Sequence, residues 1–286
     1  MANIIDGRAL AKKTNEATKQ MVTELNSLGV KPCLAVILVG DDQASARYVR
    51  NKHKKAEQLG IESIVNHLPA DTTQDELLKI VNAYNHDDKI DGILVQSPLP
   101  KQIDEQLITR TILPEKDVDG FHPVNVGNLF LNEPKHYPVA CTPKGVMAMF
   151  AEYNIDLTGK KAVVIGRSSI VGRPMAALLI NANATVTVLN HYSEDAKHFI
   201  KEADVVVAAT GKLHMVSGDD LKAGATVIDV GQNLNEDGKL VGDVDYESAA
   251  KVAGYITPVP GGVGPMTIAT LMRQTVELAS WSAKHD

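Results

Sequence analysis

The sequence predicts an α/β protein of two domains, each built on a mostly parallel β-sheet with helices on both faces. Three observations lead to this fold class. Short apolar runs such as CLAVILVG and DGILVQ have the composition of strands that are buried on both faces. Amphipathic segments lie between these runs, as in strand–helix–strand units. A proline-rich, irregular stretch over residues 114–143 interrupts the alternation, which then restarts, so the chain divides there.

The first half has the pattern of a three-layer α/β domain. Gly29 and Gly60 each follow an amphipathic segment and are natural helix stops. Thr73 with Glu76 three residues later is a capping-box pattern that begins a third helix. The predicted helices cover about residues 7–28, 45–59 and 73–84, and the predicted strands cover residues 33–40, 61–68 and 91–96. Ligands gather at the carboxyl ends of parallel strands, which directs attention to GDDQAS and QSPLP.

The second half repeats the alternation as a second doubly wound unit. Its predicted strands are KKAVVIG, ATVTVL, DVVVAAT and ATVIDVG, and its predicted helices begin near residues 143, 171 and 194. A last helix over about residues 266–283 follows the cluster PVPGGVGP. The predicted domains are therefore residues 1–140 and 141–265, with a cleft between them and residues 266–286 packed back on the first domain.

Composition and charge narrow the function classes. The chain has 286 residues, 44% hydrophobic and 22% charged, which is typical of a globular protein. Aromatic residues make up only 4% and the net charge is -6, so neither a nucleic acid nor a membrane surface is expected as a partner. MANIIDGRAL lacks a secretory pattern, and no apolar run is long enough to span a bilayer. Cys33 and Cys141 lack metal-ligand spacing, so no metal site is expected. Two cysteines far apart fit a reducing compartment, so a cytoplasmic location is expected.

The segment VVIGRSSIVGRP, residues 163–174, is typical of a nucleotide-binding turn. Gly166 ends the strand, Gly172 lies where helix and strand come close, and Pro174 suits a first helical turn. The helix N-terminus would offer N–H groups to a diphosphate. Ser168 stands where the middle glycine of G-x-G-x-x-G would be, so an ordinary strand-to-helix turn stays open as the alternative.

The charge near this turn favours NADP over NAD. The next strand ends in VLNHYS, without the acidic residue that usually holds an NAD ribose, and Arg167 would attract a 2′-phosphate. The second domain is therefore predicted to be a Rossmann-type NADP-binding domain. Its candidate cofactor-binding residues are Gly166, Arg167, Ser168, Val171, Gly172, His191, Thr210 and Gly211.

Tyr48 and Lys52 are four residues apart in SARYVRNKHK and share one face of the predicted second helix. Taken alone, such a pair usually lies in solvent, and the basic neighbours Arg50 and Lys54 fit that interpretation. Short-chain dehydrogenases use the same spacing to move a proton to a carbonyl, but there the pair follows the nucleotide turn. Here the pair precedes Gly166 and belongs to another sheet, so that family is not favoured.

Other polar residues lie where the first sheet should end. Gln96 follows DGILV, and Asp117 and Asp119 lie at the predicted domain boundary in KDVDGFHP. Taken singly, Gln96 suits a loop, and Asp119 before a glycine suits a turn. Together with Lys52, these groups are expected to meet in the cleft, where a bound nucleotide would expose its reactive ring.

Nearly the whole chain resembles the bifunctional methylenetetrahydrofolate dehydrogenase and methenyltetrahydrofolate cyclohydrolase family. The matching segments are YVRNKHK, DGILVQSPLP, PEKDVDGFHPVNVG, CTPKGV, GRSSIVGRP, VIDVG, GDVD and TPVPGGVGPMT. The resemblance implies that a hydride passes from 5,10-methylene-tetrahydrofolate to NADP and that water then opens the methenyl cation to 10-formyl-tetrahydrofolate. It also implies a place in one-carbon metabolism, including purine biosynthesis, and a homodimer through the nucleotide domain.

The same resemblance assigns roles by position. Lys52 matches the catalytic lysine, Tyr48 the tyrosine beside it, and Gln96 the amide that orients the lysine. A neutral Lys52 would accept a proton from the attacking water and return it to the departing ring nitrogen. Asp119 matches the carboxylate that holds the pterin. The loop that closes over folate and nicotinamide corresponds to PGGVGP, residues 260–265, and its candidate substrate-binding residues are Pro260, Gly261 and Gly262.

Two departures from the family pattern and two alternative functions belong to this interpretation. Ser97 stands where a large apolar residue is common, which could alter the pterin pocket. Leu189, Asn190 and His191 stand where a Cys-His-Ser-like stretch is common. The alternatives are a monofunctional dehydrogenase and a catalytically silent NADP-sensing protein, and the intact Tyr48, Lys52 and Gln96 argue against both.

Overall fold

The fold contains two parallel sheets surrounded by helices. The structure, a computed structural model, describes residues 1–283. Its strands are β1 Asn3–Ile4, β2 Cys33–Val39, β3 Glu62–Leu68, β4 Gly92–Val95, β5 Lys161–Ile165, β6 Thr185–Leu189, β7 Val205–Ala208, β8 Thr226–Asp229, β9 Asn233–Leu234, β10 Leu240–Val241 and β11 Tyr255–Ile256. Its α-helices are α1 Gly7–Ser27, α2 Gln43–Leu59, α3 Gln74–Asn85, α4 Glu105–Thr111, α5 Pro123–Leu131, α6 Cys141–Glu152, α7 Gly172–Asn181, α8 Ala196–Glu202, α9 Tyr246–Ala249 and α10 Val263–Ser282.

The chain forms two compact units. One, here called the six-stranded unit, contains residues 1–12 and 142–267. The other, here called the three-stranded unit, contains residues 13–141 and 268–283. The chain passes from one unit to the other three times. It does so within helix α1, at the start of helix α6 and within helix α10.

The three-stranded unit is built on the parallel sheet β3-β2-β4. Every residue of β2 is buried, because successive side chains enter opposite cores. Leu34, Val36 and Leu38 pack with apolar residues of α1, α2 and α10. Ala35 and Ile37 pack on the other face with residues of α3 and α4. This two-sided burial explains the uninterrupted apolar run CLAVILV.

The six-stranded unit has the strand order β1-β11-β8-β7-β5-β6, and all of its paired strands are parallel. Strands β5, β7 and β8 are almost entirely buried. Because these strands are parallel, their carboxyl ends lie at one edge of the sheet. Strand β6 is an outer strand of this sheet.

The predicted α/β fold class with parallel sheets is confirmed, and each predicted helix and strand is present within a few residues. One expectation was wrong. The stretch 114–143, taken as irregular, contains the nine-residue helix α5. His122 caps this helix by accepting the Val124 N–H at Nδ1, and Pro123 occupies the first turn.

Several short elements had no signal in the sequence pattern. They include α4, α9, β1 and β11, of which β1 and β11 have two residues each. Strand β1 pairs with β11, which places the N-terminal residues in the six-stranded unit. Helix α10 begins at Val263, inside the glycine and proline cluster. Among residues 1–283, no helix combines the length and apolar character needed to cross a membrane.

Candidate active site

Helix α2 carries Tyr48 and Lys52 directly after the carboxyl end of β2. The helix begins where Asp42 accepts the Ser45 N–H at 2.7 Å, and it ends at Gly60 in the left-handed conformation. Val49 faces the core, whereas Tyr48 is 40% exposed and Lys52 is half-buried. The amphipathic helix thus holds both candidate side chains on its accessible side.

Lys52 is joined to Gln96 by a hydrogen bond. Lys52 Nζ donates to Gln96 Oε1 at 3.0 Å. Gln96 follows β4, and its backbone N–H donates to Ile37 O at 2.8 Å, which continues the sheet by one residue. Its side-chain Nε2 donates to Ser97 O at 2.7 Å, so the amide oxygen is the atom turned toward the lysine. A side chain from the helix that follows β2 and one that directly follows β4 are thus in direct contact.

Asp119 lies within electrostatic reach of the same lysine. Burial raises the pKa of Asp119 to about 6, although the charge of Lys52 acts to lower it. The carboxyl group therefore holds its proton more readily than an exposed aspartate does. A carboxyl group, an amine and an amide are in this way gathered in one part of the three-stranded unit.

Asp117, singled out with Asp119 in the sequence, has a different position. Its side chain is buried and accepts hydrogen bonds from the backbone N–H groups of Gly120 and His122 and from Asn125 Nδ2. These bonds, at 2.7–3.1 Å, use both carboxylate oxygens. Asp117 therefore shapes the turn that contains Asp119.

The nucleotide-type turn in the six-stranded unit has the tight geometry that its glycines imply. Gly166 has a φ of +117°, and a Cβ there would lie 2.2 Å from Ala209 O. A Cβ on Gly172 would lie 2.2 Å from Gly166 O. No side chain fits at either position, so the backbone passes from β5 into α7 with the closeness that a dinucleotide turn requires.

Ser168 replaces the middle glycine without losing contact with the helix. Its Oγ accepts the N–H groups of Val171 and Gly172 at 3.2 and 3.3 Å, so the hydroxyl satisfies two backbone donors at the start of α7. Arg167 is exposed in this turn, and His191 is exposed after β6. Their positions at the carboxyl ends of neighbouring strands fit a 2′-phosphorylated nucleotide, and no acidic residue stands at the end of β6 to repel it.

Two buried carboxylates that sequence reasoning missed organise the other loops at this edge. Asp243 Oδ2 accepts the N–H groups of Thr210 and Gly211 at 2.6 and 3.1 Å and the Thr210 hydroxyl at 2.9 Å. Asp229 accepts the N–H groups of Gly231, Asp243 and Val244. Burial raises the pKa of Asp229 to about 6. The only sequence signal was the pairing of Asp and Gly in VIDVG and GDVD.

Glycines make this carboxylate network possible. A Cβ on Gly242 would overlap Asp229 Oδ2, and a Cβ on Gly231 would lie 2.2 Å from Asp243 Oδ1. Thr210 and Gly211, predicted to bind the cofactor, thus direct their N–H groups at Asp243. These two N–H groups are therefore already hydrogen-bonded, and the loop would contact a nucleotide through its other polar groups.

The loop of Pro260, Gly261 and Gly262 belongs to the six-stranded unit and is fixed against the start of α1. Arg8 N–H donates to Gly261 O at 3.1 Å, and Gly262 N–H donates to Pro258 O at 2.8 Å. Gly261 has a φ of +114°, and Pro260 is exposed. Among residues 1–283, no group of three or more His, Cys, Asp or Glu side chains is placed to hold a metal ion.

Comparison with known protein families gives a match over both units. The model of the tetrahydrofolate dehydrogenase/cyclohydrolase catalytic domain matches residues 5–119, and that of the family's NAD(P)-binding domain matches residues 140–283. The chain belongs to this family. Family membership confirms the resemblance. The close backbone approach at Gly166 and Gly172 and the exposed charge of Arg167 fit the predicted cofactor, NADP.

Relatives and solved structures agree over nearly the full length. A "Bifunctional protein FolD" of Lactiplantibacillus plantarum is 63% identical over 282 residues, which cover 99% of both chains. The crystal structure of a bifunctional methylenetetrahydrofolate dehydrogenase/cyclohydrolase from Campylobacter jejuni has a TM-score of 0.97 at 50% identity and covers 99% of this chain and 100% of its own. A dehydrogenase-cyclohydrolase from Trypanosoma brucei, complexed with NADP and an inhibitor, has a TM-score of 0.94 at 39% identity and covers 99% of each chain.

Proposed function

We propose a division of work between the two units of this bifunctional enzyme. The enzyme oxidises 5,10-methylene-tetrahydrofolate to 5,10-methenyl-tetrahydrofolate with NADP and hydrolyses the product to 10-formyl-tetrahydrofolate. The predicted catalytic domain, residues 1–140, contributes Lys52, Gln96 and Asp119, and the predicted domain 141–265 holds NADP. The observation that carries this proposal is the 3.0 Å hydrogen bond from Lys52 Nζ to Gln96 Oε1.

Lys52 serves the hydrolytic step as a proton acceptor and donor. The step requires the deprotonated amine, which donates one N–H to Gln96 Oε1 and keeps its lone pair for a proton of the attacking water. The water oxygen forms a bond to the methenyl carbon, and its proton passes to Nζ. The same proton then goes to the ring nitrogen as the carbon–nitrogen bond breaks, and the remaining hydroxyl proton is released to solvent, which yields the neutral formyl group. Tyr48, on the same helix face, assists by hydrogen bonding to the lysine or to the water.

Asp119 and the glycine loop serve substrate binding. The edge of a pterin presents an amine and a ring N–H side by side, and one carboxylate accepts both. Asp119 is an ionisable group near Lys52 that can do this. By holding the pterin it would place the methenyl carbon near the Lys52 amine. Pro260, Gly261 and Gly262 are proposed to contribute the remaining substrate contacts. Ser97 lies next to Gln96 and is exposed, so the family departure there does not displace the amide.

NADP, when bound, supplies the hydride acceptor, and this chain's residues position it. Gly166 and Gly172 allow close backbone approach, Ser168 and Val171 shape the start of α7, and Thr210 and Gly211 form the loop after β7. Arg167 and His191 provide donors for the 2′-phosphate. Hydride transfer needs no base in this account, since it depends on holding two rings at close range.

Replacing Arg167 by Gln should weaken NADP binding by about 10- to 100-fold, the loss expected for one charged hydrogen-bonding partner. Binding of NAD should change little, because it lacks the 2′-phosphate that Arg167 would contact. The measurement is the dissociation constant of each nucleotide, with methenyl hydrolysis as a check that the fold is intact. An equal loss for NAD and NADP would show that Arg167 has no selective role.

The enzyme is proposed to form a homodimer through the six-stranded unit. Strand β6 lies at one edge of that sheet and exposes backbone pairing groups, and its Val188 is 39% exposed. Sedimentation of the wild-type chain should give a dimer, and Val188→Lys should shift it toward the monomer. Val65→Lys is the matched control, because Val65 is also 39% exposed and lies on the edge strand β3 of the other sheet. A wild-type monomer would contradict the proposal.

The proposed cellular setting is the cytoplasm, where 10-formyl-tetrahydrofolate would serve one-carbon metabolism, including purine biosynthesis. Cys33 and Cys141 are both buried and neither forms a disulfide, which suits a reducing compartment. Microscopy of a tagged chain would test the location, and a signal outside the cytoplasm would refute it.

The function itself is tested by mixing the protein with 5,10-methylene-tetrahydrofolate and NADP. NADPH and 10-formyl-tetrahydrofolate should both appear, with little methenyl absorbance left. Absence of NADPH would contradict the dehydrogenase activity. NADPH with persistent methenyl absorbance would select the monofunctional alternative.

A further inference from the structure

We infer that Gln274, in the last helix, is a positioning residue that fixes Asp119 for folate binding. This inference rests on the proposed role of Asp119. Gln274 is fully buried in α10, and its neighbours Met272 and Val276 belong to the apolar core of the three-stranded unit. A Met or Leu would fill the same space without burying a polar group. The amide is therefore explained by what it bonds rather than by packing.

The Gln274 amide joins two backbone segments far from it in sequence. Nε2 donates to Val118 O at 2.7 Å and to Val139 O at 2.9 Å, and Oε1 accepts the Val139 N–H at 3.2 Å. Cys141 Sγ also donates to Val118 O, at 3.4 Å. One side chain thus ties the segment before Asp119 to the segment that precedes α6.

The other side of Asp119 is fixed just as closely. The N–H of Gly120 is held by Asp117 Oδ1 at 3.1 Å. Gly120 has a φ of +73°, and a Cβ there would lie 2.3 Å from the carbonyl carbon of Val139. The segments around residues 118–120 and 139–140 are therefore in direct contact, with no room for another side chain.

These contacts restrain the backbone that carries the Asp119 carboxylate. The Val118 carbonyl and the Gly120 N–H flank Asp119 on either side, so its backbone has two fixed neighbours. Its side chain must stay near Lys52 and accept two N–H groups of a planar ring. Misplacement by a fraction of an ångström weakens such paired hydrogen bonds. A residue more than a hundred and fifty positions away in sequence thereby acts on folate affinity.

Gln274→Met tests this inference through the dissociation constant of tetrahydrofolate, measured under reducing conditions. The affinity should fall by roughly tenfold, the loss expected when one hydrogen-bonded ligand contact is misaligned, while the dissociation constant of NADP stays the same. In the Asp119→Asn background, Gln274→Met should cause no further loss. This coupling separates positioning from a general effect on stability.

Thr275→Val is the matched control. Thr275 is also fully buried in α10, but its hydroxyl donates to Leu271 O within the helix at 3.0 Å, so its loss should leave folate affinity unchanged. Gln274→Glu is a second variant for the case that Gln274→Met does not fold. In its neutral form the carboxyl group keeps an acceptor and one donor, so the loss of affinity should be smaller than for Met.

Three results would overturn the inference. Unchanged tetrahydrofolate affinity in folded Gln274→Met or Gln274→Glu protein is the first. The second is an equal loss with and without Asp119, which would mean that Gln274 acts elsewhere. The third is unchanged affinity in Asp119→Asn alone, which would overturn the proposed role of Asp119 and this inference with it. In the first two cases the role of Asp119 would stand.

Discussion

Lys52→Met should remove most of the hydrolysis of 5,10-methenyl-tetrahydrofolate, with a fall in kcat of about 100- to 10,000-fold, the usual contribution of a general acid–base group. Met has a similar length and volume, but it can neither accept a proton from water nor donate a proton to the departing ring nitrogen. The measurement is the loss of methenyl absorbance without NADP. The dehydrogenase, which needs no base, should retain far more of its activity.

Lys54→Met is the matched control for this prediction. Lys54 lies on the same helix but is exposed, so its loss removes the same charge without touching the amine beside Gln96. Its hydrolase activity should be close to that of the wild type. Full hydrolase activity in Lys52→Met would refute the role of Lys52, and an equal loss in both variants would show that only the charge of the helix matters.

Asp119→Asn should weaken tetrahydrofolate binding by about 10- to 100-fold, since the ligand loses a charged acceptor for two of its N–H groups. The dissociation constant of NADP should stay the same, because Asp119 belongs to the three-stranded unit and the nucleotide turn to the other. The measurement compares the two dissociation constants in the same preparation. Similar losses for both ligands would indicate a general defect of folding and not a substrate contact.

The pKa of Asp119 adds a dependence on pH. Because that pKa is about 6, well above the ordinary value of 3.8, the carboxylate is lost as the pH falls through about 6. Folate affinity of the wild type should therefore decline below pH 6, while the Asp119→Asn variant should lack this step. A decline of the same size in the variant would assign the titration to another group.

Most of the helices and strands could be predicted from local sequence signals. Seven consecutive apolar residues gave β2, and Gly60 adopts the left-handed conformation that ends α2. Thr73 and Glu76 form the predicted capping box, with both reciprocal hydrogen bonds present. Each of these features depends on residues close in sequence, so periodicity and end signals are sufficient.

Helix α5 and the two-residue strands were not predictable in the same way. Asn125, Gly127 and Asn128 weaken the helical pattern of α5, although Pro123 in its first turn was an available start signal. Strand β1 exists because it pairs with β11, about 250 residues away, and two residues show no periodicity. Such elements are fixed by their partners in the folded chain.

The candidate site shows the same limit. Tyr48 and Lys52 share a helix face by spacing alone, but the bond from Lys52 to Gln96 joins residues 44 positions apart. The strand pattern predicted only that these groups would meet, and the family resemblance supplied their roles. The roles of Asp229, Asp243 and Gln274 depend on backbone groups from distant segments, and no local pattern identifies such buried hydrogen bonds.

The central claim is that Lys52, oriented by Gln96, transfers the proton in the hydrolytic step, whereas hydride transfer needs no base. Its most direct test is a single reaction of Lys52→Met protein with 5,10-methylene-tetrahydrofolate and NADP, with NADPH and methenyl absorbance recorded together. Both signals should rise in step, and the methenyl signal should then persist instead of decaying to 10-formyl-tetrahydrofolate. Decay of the methenyl signal at the wild-type rate, or failure of NADPH to form in the folded variant, would contradict the claim.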